Sequence, residues 1–96
     1  MMVLKPGRIV ATPGALEAVS PDRLGACLKR HLTGDRGLVP PEDKEANDDA
    51  AANDGRVLSA YAIDPDKPSR GYGENTLWIV TERDRSVTTF LLPSEY

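Results

Sequence analysis

The spacing of hydrophobic positions changes period midway along the chain. Leu24, Cys27, Leu28, His31 and Leu32 recur three and four residues apart. That spacing puts them on one face of a helix that opens at Ser20-Pro21-Asp22 and stops at Gly34. From Arg56 onward the period is two, and residues 56–63, 76–81 and 86–92 read as strands built from β-branched, aromatic and other apolar positions.

Shorter elements surround these. Arg8-Ile9-Val10-Ala11 is a brief β-prone piece ending at Thr12-Pro13-Gly14, where threonine can cap and proline can fill the first turn of a helix over residues 14–19. Two glycines and two prolines between Gly34 and Pro41 leave only a turn-rich connector. A third helix begins at Pro41 with Glu42 and Asp43 at its positive end, and Asn53-Asp54-Gly55 stops it. Its apolar stripe is thin, with Ala46 and Ala50 behind Val39, so it reads as a lightly docked surface helix. The tight connection Glu82-Arg83-Asp84-Arg85 joins the last two strands as a hairpin, residues 64–75 form a longer loop, and Pro93 closes the final strand. The order predicts an α+β fold in which N-terminal helices pack on a C-terminal three-stranded antiparallel meander sheet, as a single domain over residues 1–96.

Composition narrows the function classes. A chain of 96 residues supports one modest core, and only five aromatics, Tyr61, Tyr72, Trp78, Phe90 and Tyr96, can fill it. The net charge of −3 conceals six acids against one lysine in residues 42–54, a local balance of −5 that leaves +2 elsewhere. That distribution argues against binding nucleic acid by general phosphate neutralisation. Cys27 is the single cysteine, so no internal disulfide forms, and a thiol among leucines on a helix reads as a small buried hydrophobe in a reducing compartment. The first eight residues lack the apolar run of a signal peptide and no stretch is long enough to span a bilayer, so a cytoplasmic location without membrane contact is expected.

Few residues are suited to chemistry. His31 is the single histidine, placed near a helix C-terminus, where it reads as a cap or interface residue with catalysis as the alternative. With Cys27 it forms one i, i+4 pair that no further ligand completes, so neither a metal nor a cofactor is expected. The acidic helix, with Glu42, Asp43, Glu45, Asp48 and Asp49, can be a solvated face, a phosphate mimic for a basic groove, or a cation site, although its spacing misses the calcium-loop pattern. Arg70-Gly71-Tyr72-Gly73 precedes no helix and reads as a hairpin loop, not a phosphate loop. At the hairpin tip, Arg83 and Arg85 with Ser86, Thr88 and Thr89 gather cationic and hydroxyl groups that could steady a phosphate; the plainer reading is a soluble turn made by Asp84.

One resemblance covers about two thirds of the chain. Trp78-Ile79-Val80-Thr81-Glu82-Arg83-Asp84-Arg85-Ser86-Val87-Thr88-Thr89 and Leu91-Leu92-Pro93-Ser94-Glu95-Tyr96, with His31 to Gly37 and Gly55 to Tyr61, resemble a family of small uncharacterised proteins of plasmids and other mobile elements, some labelled type I restriction subunit M. Arg36 stands where that family has tryptophan. A methyltransferase activity does not fit a chain of this length without a cofactor-binding glycine loop. With too few catalytic residue types and one strongly acidic patch, the chain is expected to be a small non-enzymatic accessory protein of such a mobile genetic element that binds a host or element macromolecule, such as a defence or replication component. The expected partner is another protein met through the acidic helix or a sheet face, and exposed strand edges leave a homodimer open. The alternative comes from arrangement alone: helices followed by an antiparallel sheet resemble barnase-like and RelE-like ribonuclease toxins. In that reading RNA is the substrate and His31, Arg83, Arg85 and Thr89 are the acid–base and phosphate-stabilising groups.

Overall fold

A computed structural model describes residues 4–53 and 55–96. Asp54, part of the predicted helix stop, and residues 1–3 of the N-terminal segment lie outside the described residues. In chain order the elements are β1 Arg8–Ala11, α1 Pro13–Ala18, α2 Pro21–Leu32, α3 Pro41–Ala52, β2 Val57–Ala62, β3 Thr76–Thr81 and β4 Val87–Leu91, with a closing 3-10 turn Pro93–Glu95.

The local signals operate as chemistry. Thr12 caps α1 by accepting from the Ala15 amide at 3.2 Å, and Ser20 caps α2 by accepting from the Arg23 amide at 3.2 Å. Pro13, Pro21 and Pro41 occupy first turns, where a missing N–H costs nothing. Helix α3 starts without a side-chain cap and buries no residue, as its thin stripe predicts.

The sheet corrects the predicted three-stranded meander. It has four strands in the order β1-β4-β3-β2, antiparallel within β2, β3 and β4, and β1 joins β4 in parallel. The β-prone segment Arg8–Ala11 is therefore a strand of the sheet, aligned Arg8 to Val87 through Ala11 to Phe90. Ile9 and Val10 favour extended backbone, while the parallel partner arrives almost eighty residues later, so no local turn signal announces the pairing.

Alternation sorts the side chains into two faces. Tyr61, Leu77, Ile79 and Phe90 meet Ala15, Val19, Leu24 and Cys27, forming the core between the sheet and helices α1 and α2. Cys27 is fully buried there, and burial pushes its thiol pKa up. On the opposite face Trp78 donates to the Gly71 carbonyl at 2.7 Å, which ties the long loop down, and stacks edge-on against Tyr96 with centroids 5.4 Å apart.

The outer edge of β2 is closed by four separate partners. Asn47 Oδ1 accepts from the Leu58 amide at 2.7 Å, the Arg36 carbonyl accepts from the Ala60 amide at 3.1 Å, the Leu38 amide donates to the Ala60 carbonyl at 2.7 Å, and the Arg23 guanidinium reaches the Ala62 carbonyl at 2.8 Å. Gly37 makes the central part of this closure feasible. Its φ is +69°, and a Cβ there would sit 2.0 Å from the Ala60 carbonyl oxygen. Gly25, in the middle of α2, faces open space.

Two substitutions with opposite signs follow. Gly37→Ala combines a left-handed backbone with a steric overlap and should lower unfolding free energy by at least about 2 kcal/mol. Gly25→Ala should raise it by about 0.5–1 kcal/mol through helix propensity. Urea unfolding midpoints read both, and equal midpoints for the two variants would contradict this packing.

Candidate functional site

His31 lies on the last turn of α2, on the stripe that faces the sheet, and is fully buried. Its Nδ1 is 2.6 Å from Ser59 Oγ on β2 and its Nε2 is 2.9 Å from Thr81 Oγ1 on β3. Thr81 Oγ1 lies 2.7 Å from Thr88 Oγ1 on β4, and Thr88 donates to the Pro6 carbonyl at 2.7 Å. That carbonyl can only accept, which fixes the direction of the protons as far as the imidazole Nε2. Thr88 gives its hydrogen to Pro6, so Thr81 donates to Thr88 and His31 donates through Nε2–H to Thr81; with the ring kept neutral by burial, Nδ1 is bare and accepts from Ser59. The imidazole is neutral with its proton on Nε2.

Energetics agree with this order. Burial first, and the Arg36 charge second, push the His31 pKa down from 6.5 to about 3. The helix C-terminus favours an imidazolium by roughly 0.3–1 kcal/mol, less than the cost of burying a charge without a counterion. Desolvation wins, and the cap role suggested by position gives way to a buried, fully hydrogen-bonded core histidine.

The hairpin arginines separate in role. Arg83 is exposed on the turn, whereas Arg85, with φ +60°, folds back onto the end of α3. Its guanidinium donates to the carbonyls of Gly55 at 2.6 Å, Ala50 at 3.1 Å and Ala51 at 3.3 Å. Helix α3 has no basic residue in its own last turn, and Arg85 supplies that charge from the hairpin. Asp84 builds the turn by accepting from the Ser86 amide at 3.0 Å and the Ser86 hydroxyl at 2.6 Å. Thr89 is half-buried on the face of the sheet opposite His31, because adjacent residues of a strand point to opposite sides and Thr88 is the one in the His31 chain. The four residues of the ribonuclease reading therefore do not share a cleft. His31 is sealed beneath one face, Thr89 lies on the other, and Arg85 is spent on a helix end.

Arg36 is a functional-looking residue whose placement the sequence did not reveal. Only 3% of it is exposed, and Nη1 donates to the His31 carbonyl. Nε lies 3.4 Å from Asp48 Oδ1, near enough for attraction yet not aligned for a hydrogen bond, and it has no other partner among the described residues. Asp48 also accepts from Lys44 Nζ at 2.8 Å, and Lys44 first, with Arg36 after it, holds the Asp48 carboxyl below its usual pKa. Of the acidic residues singled out on α3, Asp48 thus faces inward as an anchor. Glu42, Asp43, Glu45 and Asp49 are exposed, and no ion pair among the described residues engages them.

A groove of 540 Å³ between residues 73–76 and 92–94 has Glu74 as its sole charged lining residue, and neither His31 nor an arginine opens into it. No group of three or more His, Cys, Asp or Glu among the described residues could hold a metal ion. Among the same residues no helix is long and apolar enough to cross a membrane. Comparison with protein-family models, with curated proteins and with solved structures finds no match.

The buried imidazole gives stability a definite pH dependence. An unfolded chain carries an ordinary histidine near 6.5, so between pH 6.5 and about 3 it binds a proton that the folded state refuses. The stabilisation is complete above this window and is lost as pH falls through it. Between about pH 6 and 5, above the range where Asp35, Asp48 and Glu95 titrate, unfolding free energy should fall with a slope approaching 1.4 kcal/mol per pH unit. His31→Gln, although less stable, should flatten that slope. An unchanged slope in the variant, measured by urea unfolding, would contradict the assignment.

Proposed function

We propose that the chain is a non-enzymatic accessory protein of a mobile genetic element, acting in the cytoplasm by binding a basic host or element protein through the exposed carboxylates of α3. The carrying observation is how that helix is held. It buries no residue, so its own packing contributes little to its stability. Groups from three other places secure it instead: the Arg85 guanidinium at its C-terminal carbonyls, the Arg36 guanidinium opposite Asp48, and the Leu58 backbone amide donating to Asn47. These contacts fix a surface element whose outward side carries Glu42, Glu45 and Asp49 without compensating charge.

Two further points favour binding over catalysis. The single histidine is neutral and sealed from solvent, so it offers no general base to a substrate. The arginines that suggested phosphate chemistry divide between solvent and a helix terminus. The mobile-element part of the proposal rests on the resemblance carried by residues 78–89 and 91–96.

The test is capture from lysate of a bacterial host with wild type and the triple variant Glu42→Lys, Glu45→Lys, Asp49→Lys. Asp48 is left intact because it anchors the helix. A basic partner retained by wild type should be lost by about tenfold or more in the variant and should elute at raised ionic strength. Asp22→Lys, an exposed change on α2, should leave capture as it was. Equal retention by the triple variant would overturn the α3 assignment.

A further inference from the structure

The two edges of the sheet are treated differently by the rest of the chain. Along β2 the outward amides and carbonyls of Leu58, Ala60 and Ala62 meet Asn47, Arg36, Leu38 and Arg23. Along β1, Arg8 donates to the Ser86 carbonyl at 2.9 Å and Thr12 to the Phe90 carbonyl at 3.0 Å, so even-numbered residues face β4. Alternation then turns the N–H and C=O groups of Ile9 and Ala11 outward, and neither residue has a backbone partner beyond β4 among the described residues. The strand carries no proline and no bulge, and Ile9 is 47% exposed. An open, apolar edge of this kind is a template for another strand.

We infer that a second copy of this chain pairs with β1 in antiparallel register about a two-fold axis at Val10, joining two four-stranded sheets into one of eight strands. Three features select this occupant and this register. Ile9 of each copy faces Ala11 of the other, so all four outward backbone groups of each strand are used, in two hydrogen-bonded pairs. Registers centred on residue 9 or residue 11 instead oppose Ala11 to Gly7, whose φ of +64° leaves the extended region, or oppose Ile9 to Pro13, which has no N–H. The Val10 register also places Arg8 opposite Thr12 of the other copy in a close, non-hydrogen-bonded pair. Thr12 is where Glu95 is held: its carboxylate accepts from Thr12 Oγ1 at 2.6 Å, from the Gly14 amide at 3.2 Å and from the Leu92 amide at 2.9 Å. Each Arg8 thereby meets the fixed carboxylate of the opposite chain, twice by symmetry. Ile9 packs over Ala11 of the other copy on the helix-bearing face, and Val10 packs on Val10 on the other face.

A pairing of four-residue strands covers less than the ~1,200–2,000 Å² of a standard stable interface, so the dimer is weak and its population depends on concentration. Sedimentation of the full chain should show mass rising from 10.4 kDa toward twice that value between micromolar and millimolar concentration. Arg8→Glu sets a glutamate against Glu95 of the other copy and should raise the dissociation constant about tenfold. Hydrogen exchange on wild type supplies a readout that needs no variant. Ile9 and Ala11 amides should gain protection as concentration rises, while Arg8 and Thr12, already bonded to β4, should not change. A monomer at millimolar concentration would overturn the inference, leaving the edge to a strand of some other chain. A dimer with Ile9 and Ala11 still exchanging freely, or one indifferent to Arg8→Glu, would overturn it as well.

Discussion

A neutral imidazole buried between α2 and the sheet constrains everything around it. His31 is fully buried with two ring nitrogens to satisfy, so Ser59 and Thr81 stand opposite them, and Thr81 in turn meets Thr88, which bonds the Pro6 carbonyl. One chain of hydrogen bonds thus crosses α2, β2, β3, β4 and the segment before β1. Each link is a polar group that would cost about 1–3 kcal/mol if left alone in the core. The same chain fixes register, because a shift of one residue in any strand would turn its hydroxyl to the opposite face.

The polar residues between Thr81 and Glu95 have structural tasks in this fold. Thr81 and Thr88 serve the histidine, Asp84 and Ser86 make the turn, Arg85 ends α3, and Glu95 binds the Thr12 cap and the Gly14 amide. Glu82 pairs with Arg56 at 3.4 Å, and Arg56 also lies over the Tyr96 ring with its guanidinium 5.1 Å from the centroid. Together these residues build a framework of turns, caps and hydrogen bonds. Arg36 fits that account: the connector buries a guanidinium and places it against Asp48 of α3.

Much of the fold was legible because its signals are local. Period and caps located α2, and alternation bounded by Gly, Pro and Asp located β2, β3 and β4 to within a residue or two. Parallel pairing of β1 with β4 was not legible, since Ile9 and Val10 say only that the segment is extended and nothing nearby names its partner. The candidate site was read less well for the same reason. Arg83 and Arg85 are neighbours in sequence, yet a left-handed backbone at Arg85 sends one to solvent and the other to α3. His31 lies on the apolar stripe of α2, yet its place near the helix end suggested a cap, and its proton order depends on three hydroxyls from three strands. The periodic burial of Ser59, Thr81 and Thr88 among apolar strand positions was the available clue, since a buried hydroxyl requires a partner.

The most direct test is the nitrogen NMR spectrum of the His31 ring in folded protein across an acid titration. The account predicts a neutral ring with the proton on Nε2, a bare Nδ1, and no titration until the protein unfolds. An imidazole that titrates near the ordinary 6.5 in the folded state, or one protonated on Nδ1, would contradict the buried hydrogen-bond chain on which this account depends.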